Sequence, residues 1–233
     1  MKELKSFFDS LTAYFLLIIF IGFSGFFTWI FGSDIFLIGQ ASLQSFFSVA
    51  YWTIFFFIPA LTMRMLAEEK RTGTIELLQT KAVNDWQIVI GKSLACILLI
   101  GIALLFSLPF YITIAQLGNV DHGAIICGYF GLLLMSFALI GIGIFASSIS
   151  NNQIISFLVS LLVGIFFLII SDVLANSSSG IFASIFHYLS ISNHYDSISR
   201  GVIDSKDIIY FISIGILGIS LAHAILFRRN LTK

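Results

Sequence analysis

Charged side chains are scarce in this sequence. There are twelve Lys and Arg and twelve Asp and Glu among 233 residues, 10% in all. A soluble domain carries about 25%, so the chain has too few charges to cover a water-facing surface. Cysteine and proline are scarcer still, with two of each. Cys96 and Cys127 fall inside apolar runs with no Cys or His at ligand spacing, so neither a disulfide nor a metal pair is expected and both read as small hydrophobes. Apolar side chains are abundant: 58% of residues, with 26 Phe and a mean hydropathy of +1.03. That places the chain in the polytopic membrane class. A net charge of zero argues neither way on nucleic acid, and no nucleic-acid partner is expected.

A span needs about 20 predominantly apolar residues to cross about 30 Å of hydrocarbon. Six stretches qualify: 11–31, 45–63, 93–117, 123–147, 153–174 and 208–227. Backbone facing lipid must satisfy its own hydrogen bonds, and runs such as FLLIIFIGF do not alternate as barrel strands do. The expected fold is therefore an all-α integral membrane protein, a single domain over 1–233 with six transmembrane helices. The first stretch follows MKELK with the polarity of a secretory signal, but it is too long for one and no small-residue cleavage site follows, so it reads as a retained span.

Lys and Arg fix the expected orientation. Lys2, Lys5, Arg64, Lys70, Arg71, Lys81, Lys92, Arg228, Arg229 and Lys233 would share one side, and only Arg200 and Lys206 the other. Ten against two places both termini and the 64–92 loop in the cytoplasm. The longest outer segment, 175–206, contains IFASIFHYL and is too apolar for a plain linker. It is expected to lie in the interface or to dip back toward the bilayer. No charged residue sits near the middle of any span, with Asp172 and Asp207 at span ends, which weakens any scheme in which this chain alone runs an ion-coupled cycle. Pro59 and Pro109 fall late in the second and third spans, where proline frees a carbonyl and permits a kink. Gly141, Gly143 and Ser147 form a small-residue face suited to close helix contact.

Three tempting motifs fail. Gly22-Phe23-Ser24-Gly25 matches the GxSG of intramembrane serine proteases, with His223 as the only histidine of the last span. A Ser–His pair must meet within hydrogen-bond reach, yet the two residues fall roughly 14 Å apart in depth at about 1.5 Å per residue. Gly91-Lys92-Ser93 resembles the end of a phosphate-binding loop, but Trp86 occupies the position of the required first glycine. His187 and His194, seven apart, lack a carboxylate or thiol at helical spacing and are a weak metal signal.

The informative segment is Arg64–Lys92. It holds nine charged side chains, Arg64, Glu68, Glu69, Lys70, Arg71, Glu76, Lys81, Asp85 and Lys92, between long apolar runs. Thr72-Gly73-Thr74 should break the helix leaving the second span, with Thr74 as the N-cap of a short helix over 75–80. Glu76 would sit in that helix's first turn and Leu77 and Leu78 on its apolar face. Asn84-Asp85-Trp86-Gln87 reads as a second cap with Gln87 at the capping-box position, opening a helix that runs into the third span. Fixing topology needs only a few basic residues, so the four acids and the capped, apolar-faced helix point to a docking element.

Here the chain resembles the permease subunits of ABC-2-type exporters, and most closely the gliding-motility-associated permease of Bacteroidetes. The likeness runs through Pro59-Ala60-Leu61-Thr62-Met63-Arg64 and Glu68-Glu69-Lys70-Arg71-Thr72-Gly73-Thr74-Ile75-Glu76-Leu77-Leu78. It returns in Asp85-Trp86-Gln87, Gly91-Lys92, Ser148-Ile149-Ser150-Asn151-Asn152-Gln153, and Tyr195-Asp196-Ser197 with Arg200-Gly201-Val202-Ile203-Asp204. The resemblance implies a type V exporter-like permease in a bacterial inner membrane, paired with a second permease chain as a homo- or heterodimer. It implies no enzyme activity and no cofactor on this chain, with ATP and Mg held by a separate ABC-type ATPase subunit. By position it implies ATPase docking through Glu68, Glu69, Gly73, Thr74, Glu76, Leu77 and Leu78, with a second contact through Ser150, Asn151 and Asn152. Two departures stand out: Ala82 where such permeases usually have a proline, and Ser10-Leu11 where they often have Ser-Pro. The competing expectation is a membrane anchor or assembly scaffold of a gliding or secretion complex without solute flux.

Overall fold

The structure, a computed structural model, describes residues 7–8, 11–30, 42–74 and 84–231. Every regular element among them is helical. In chain order these are α1 (Leu11–Trp29), α2 (Gln44–Thr62), α3 (Ala67–Thr72), α4 (Asp85–Phe106), α5 (Leu108–Leu117), α6 (His122–Ile149) and α7 (Gln153–Ile165). A π-helical turn (Phe166–Ile170) follows, then α8 (Ser171–Ser177), α9 (Ile181–Leu189), α10 (Ile191–Ser199) and α11 (Ser205–Leu231). Five helical stretches are long and apolar enough to cross a membrane: Gln44–Thr72, Asp85–Leu117, His122–Ile149, Gln153–Ser177 and Ser205–Arg228. The apolar helix α1 coincides with the first expected span but is shorter than these five.

The bundle is organised around α6, whose central window is 67% buried against 28% for the windows of Gln153–Ser177 and Ser205–Arg228. Glycine is what lets its neighbours approach. A side chain at Gly128 would overlap the ring of Phe47, one at Gly141 would meet the backbone of Gly215, and one at Gly143 would strike the Thr62 side chain. Small residues are the usual means of close packing where lipid supplies no hydrophobic drive between helices. The expected single face of Gly141, Gly143 and Ser147 is in fact two. Gly141 receives α11 through Gly215 and Gly218, whereas Gly143 and Ser147, one turn apart, receive the end of α2 and the loop after it.

The two prolines behave differently. Pro59 lies inside α2, one turn before the chain leaves the helix. Pro109 does not kink a continuous third span: the helix stops at Ser107, whose hydroxyl donates to the Leu104 carbonyl at 2.7 Å, and Pro109 occupies the first turn of α5. A residue without an N–H is accommodated there because the first-turn N–H groups have no partner inside the helix.

The two halves of the segment 175–206 differ in burial. No residue of α9 is buried, and Ile181, Phe182, Ile185 and Tyr188 form an exposed apolar stripe. By contrast α10 turns inward, burying Ile191, His194, Tyr195 and Ile198, with Tyr195 and Ile198 against Gly131 of α6. It is pinned by a relay in which the Ser192 hydroxyl donates to the Leu168 carbonyl at 2.9 Å and meets the Tyr51 hydroxyl at 2.9 Å. Leu168 belongs to the π-turn, where both the backbone N–H and the hydroxyl of Ser171 donate to the Phe166 carbonyl.

Candidate functional site

The loop leaving α2 begins with a break rather than a continuous helix. After Thr62 the chain makes a turn over residues 63–66 and restarts as α3. The N–H groups opening a helix need acceptors, and here one arrives from another element. The Ser147 hydroxyl oxygen, at the end of α6, accepts from the N–H of Leu66 at 3.0 Å and of Ala67 at 3.1 Å. It donates in turn to the Met63 carbonyl at 3.2 Å. A single serine thus closes the gap between α2 and α3.

Two lysines complete the joint. Lys92, 2% exposed on α4, donates to Glu69 Oε1 of α3 at 2.6 Å, and the Glu69 side chain is 21% exposed. Lys70 is buried and its ammonium donates to the Ser148 carbonyl. An ammonium removed from water is tolerable only with such partners. The first loop, the start of α4 and the end of α6 are therefore one packed unit.

The capping pattern follows the sequence. The Asn84 N–H donates to Gln87 Oε1 at 3.2 Å, so the capping box opens α4 at Asp85. Gly73 ends α3 in the left-handed region at φ 71°, with open space where a side chain would stand. Thr74 lies exposed beyond it, its hydroxyl 3.0 Å from that of Thr72. Glu76, Leu77, Leu78 and Ala82, with the short helix expected over 75–80, lie outside the described residues.

Among the other expected contact residues, Glu68 is half-buried, Asn151 is exposed, and Glu69 faces Lys92. Ser150 and Asn152 shape the turn after α6. The Ser150 hydroxyl accepts from the Asn152 N–H at 2.9 Å, and Asn152 Oδ1 accepts from the Ile154 N–H at 2.9 Å as the N-cap of α7. Lys70 and Ser148 join α3 to the end of α6, a contact across 78 residues of chain. Trp86 stacks on His223 of α11 with ring centroids 4.2 Å apart. Ser24 is buried and donates to the Phe20 carbonyl of its own helix at 2.6 Å, so neither residue of the protease-like pair faces the other.

The opposite end of the bundle brings together polar groups that the sequence analysis had taken separately. His194 and Asp207 are both buried, with Nδ1 and Oδ1 2.6 Å apart, and His194 Nε2 lies 3.1 Å from the Tyr188 carbonyl. The imidazole stacks on Tyr210, centroids 3.9 Å apart, and the Tyr210 hydroxyl donates to the Leu189 carbonyl at 2.5 Å. Two cavities of about 350 and 370 Å³ open beside α10 and share Asp196 and Arg200. Desolvation raises the Asp196 carboxyl above its ordinary value, and the Arg200 guanidinium opposes that rise. The one signal available in sequence was the density of polar residues between Asn193 and Asp207, and it did not reveal the pairing. Among the described residues no group of three or more His, Cys, Asp or Glu could hold a metal.

Residues 33–227 match the family described as ABC-2 family transporter protein. The chain belongs to that family. No curated protein matches it. As an ABC-2 family protein it is a multi-pass membrane component of an ABC transporter system, the permease part rather than the ATPase. The joined loops and the far-end cavities are thus features of an ABC-2 permease.

Proposed function

We propose that this chain is an exporter-type permease subunit driven by ATP hydrolysis on a separate ABC-type ATPase, which docks on the surface formed by the first loop and the turn after α6. The observation that carries this reading is the joint of Lys70 to the Ser148 carbonyl and of Lys92 to Glu69. It makes two loops distant in sequence into one platform, presenting Glu68, Gly73, Thr74 and Asn151, while Glu69, Ser150 and Asn152 hold its shape. Glu76, Leu77 and Leu78 would extend the platform toward the ATPase. ATP and Mg belong to that partner.

The proposed topology is a single domain of six spans, with α1 as the first and both termini cytoplasmic by the excess of Lys and Arg on that side. Six helices make a thin bundle, so the translocation path would run between two such chains in a bacterial inner membrane. Differential contact of the platform with the ATP-bound and ATP-free partner is what would shift the spans. The gliding-type likeness of the 68–78 block supports work within a gliding or export machine.

The structure sharpens the test. Reversing Glu69 would break an internal pair, so the informative variant is Glu68→Arg with Asn151→Arg. Purified with the ATPase encoded beside it, this double variant should lose ATPase association and coupling while keeping its melting temperature. Unchanged coupling would sink the docking assignment.

A further inference from the structure

The larger cavity, about 370 Å³, lies at the end of the bundle remote from the platform and is walled by both signs of charge. Asp207 is 1% exposed; its Oδ1 meets His194, and its Oδ2 is buried with no protein donor among the described residues. The side-chain Nδ2 of Asn193, in the same wall, is a buried donor with no protein acceptor among them. Buried polar atoms without partners are uncommon in folded proteins and mark places where something else completes the bond. The volume falls in the range of small-ligand sites, about 300–1,000 Å³.

Two exposed cations share the wall. Arg200 Nε donates to the Asp196 carbonyl at 2.9 Å, and Lys206 forms only a surface pair with Asp204 at 3.0 Å, a kind of contact that is readily exchanged. A purely anionic ligand would meet Asp196 and Asp207, and a purely cationic one would meet Arg200 and Lys206. A ligand carrying both charges a few ångströms apart satisfies all four.

Alongside runs α9, whose stripe (Ile181 78%, Phe182 69%, Tyr188 65%) stands exposed among the described residues, and Tyr188 joins stripe to cavity. A soluble zwitterion has no use for such a stripe, whereas a lipid's acyl chains would lie along it. The geometry points to the headgroup of a zwitterionic phospholipid with a primary ammonium, of the phosphoethanolamine class, its ammonium at Asp207, its phosphate at Arg200 and Lys206, and its chains against α9. This site does not depend on ATPase docking, which concerns the other end of the molecule.

The test uses the whole chain, delipidated in detergent, with native mass spectrometry of added lipids that share acyl chains but carry ethanolamine, choline or glycerol headgroups. Choline keeps the charge but has no N–H to give Asp207, and glycerol lacks the cation. The ethanolamine lipid should bind roughly tenfold more tightly than either, the scale of one charge-assisted hydrogen bond. Asp207→Asn should erase most of that preference, whereas Arg200→Gln and, separately, Asn193→Ala should weaken the binding of all three lipids, with Arg200→Gln leaving the melting temperature unchanged. Equal binding of the three lipids would overturn the proposal, as would an undiminished preference in Asp207→Asn or undiminished affinity in both other variants. Soluble glycerophosphoethanolamine competing at the same concentration as the lipid would overturn the lipid assignment.

Discussion

At the platform end of the bundle Lys92 and Lys70 are buried, and each is tied across a boundary between elements. At the far end Arg200 and Lys206 stay exposed beside cavities, and the buried polar pair is His194 with Asp207. The first arrangement uses Lys70, Lys92 and Glu69 to hold separate elements together. The second leaves unpartnered atoms facing space. In a chain with so few charges, this difference is the ground for proposing that one end transmits contact and the other accepts a ligand.

The comparison breaks most sharply at Lys92. Lys92→Met leaves the largely buried Glu69 carboxylate without its cation, and removing one partner of a buried pair costs about 3–5 kcal/mol. Thermal denaturation in detergent should show a large drop in melting temperature, mostly recovered in Lys92→Met with Glu69→Gln. If the single variant melts like the parent, the platform is not held by this pair.

A middle effect is expected at the other end. His194→Phe keeps an aromatic ring over Tyr210 but leaves Asp207 and the Tyr188 carbonyl without their partner, a cost of about 1–3 kcal/mol. The same melting experiment should record it, with hydrogen exchange rising in α9 and α10 and not in α3. The smallest effect is expected at Gly73. Ala there must adopt the left-handed conformation at about 1 kcal/mol, with no clash because the space is open. Faster exchange confined to the end of α3 is the expected result.

Much of the fold was legible because it is local. Apolar runs mark the helices, Asn84 with Gln87 marks the start of α4, and Thr72-Gly73 marks the end of α3, each a pattern within a few residues. Gly141, Gly143 and Ser147 announced close packing, but not that they meet two different partners, because small residues record proximity without naming the neighbour. The joints of the candidate site are long-range. Glu69 reaches Lys92 across 23 residues and Lys70 reaches Ser148 across 78. Nothing in helical periodicity encodes such pairings. The pairing of His194 with Asp207 was missed similarly, since a histidine thirteen residues from an acid is not a motif until α10 folds inward.

The π-turn at Phe166–Ile170 bears on which changes in length this chain tolerates. A π-turn is an α-helix carrying one residue too many, held in place here by the two donors that Ser171 offers to the Phe166 carbonyl. Deleting one residue between 166 and 170 would restore ordinary helical winding while nearly keeping the faces of α8, because the π-turn absorbs the extra residue. The Leu168 carbonyl would return to its own helix, and Ser192 and Tyr51 would lose the anchor that fixes α10. A shortening that leaves the span ample to cross a bilayer would thus unfasten a helix on the far side of a loop, so this surplus residue acts as a register pin.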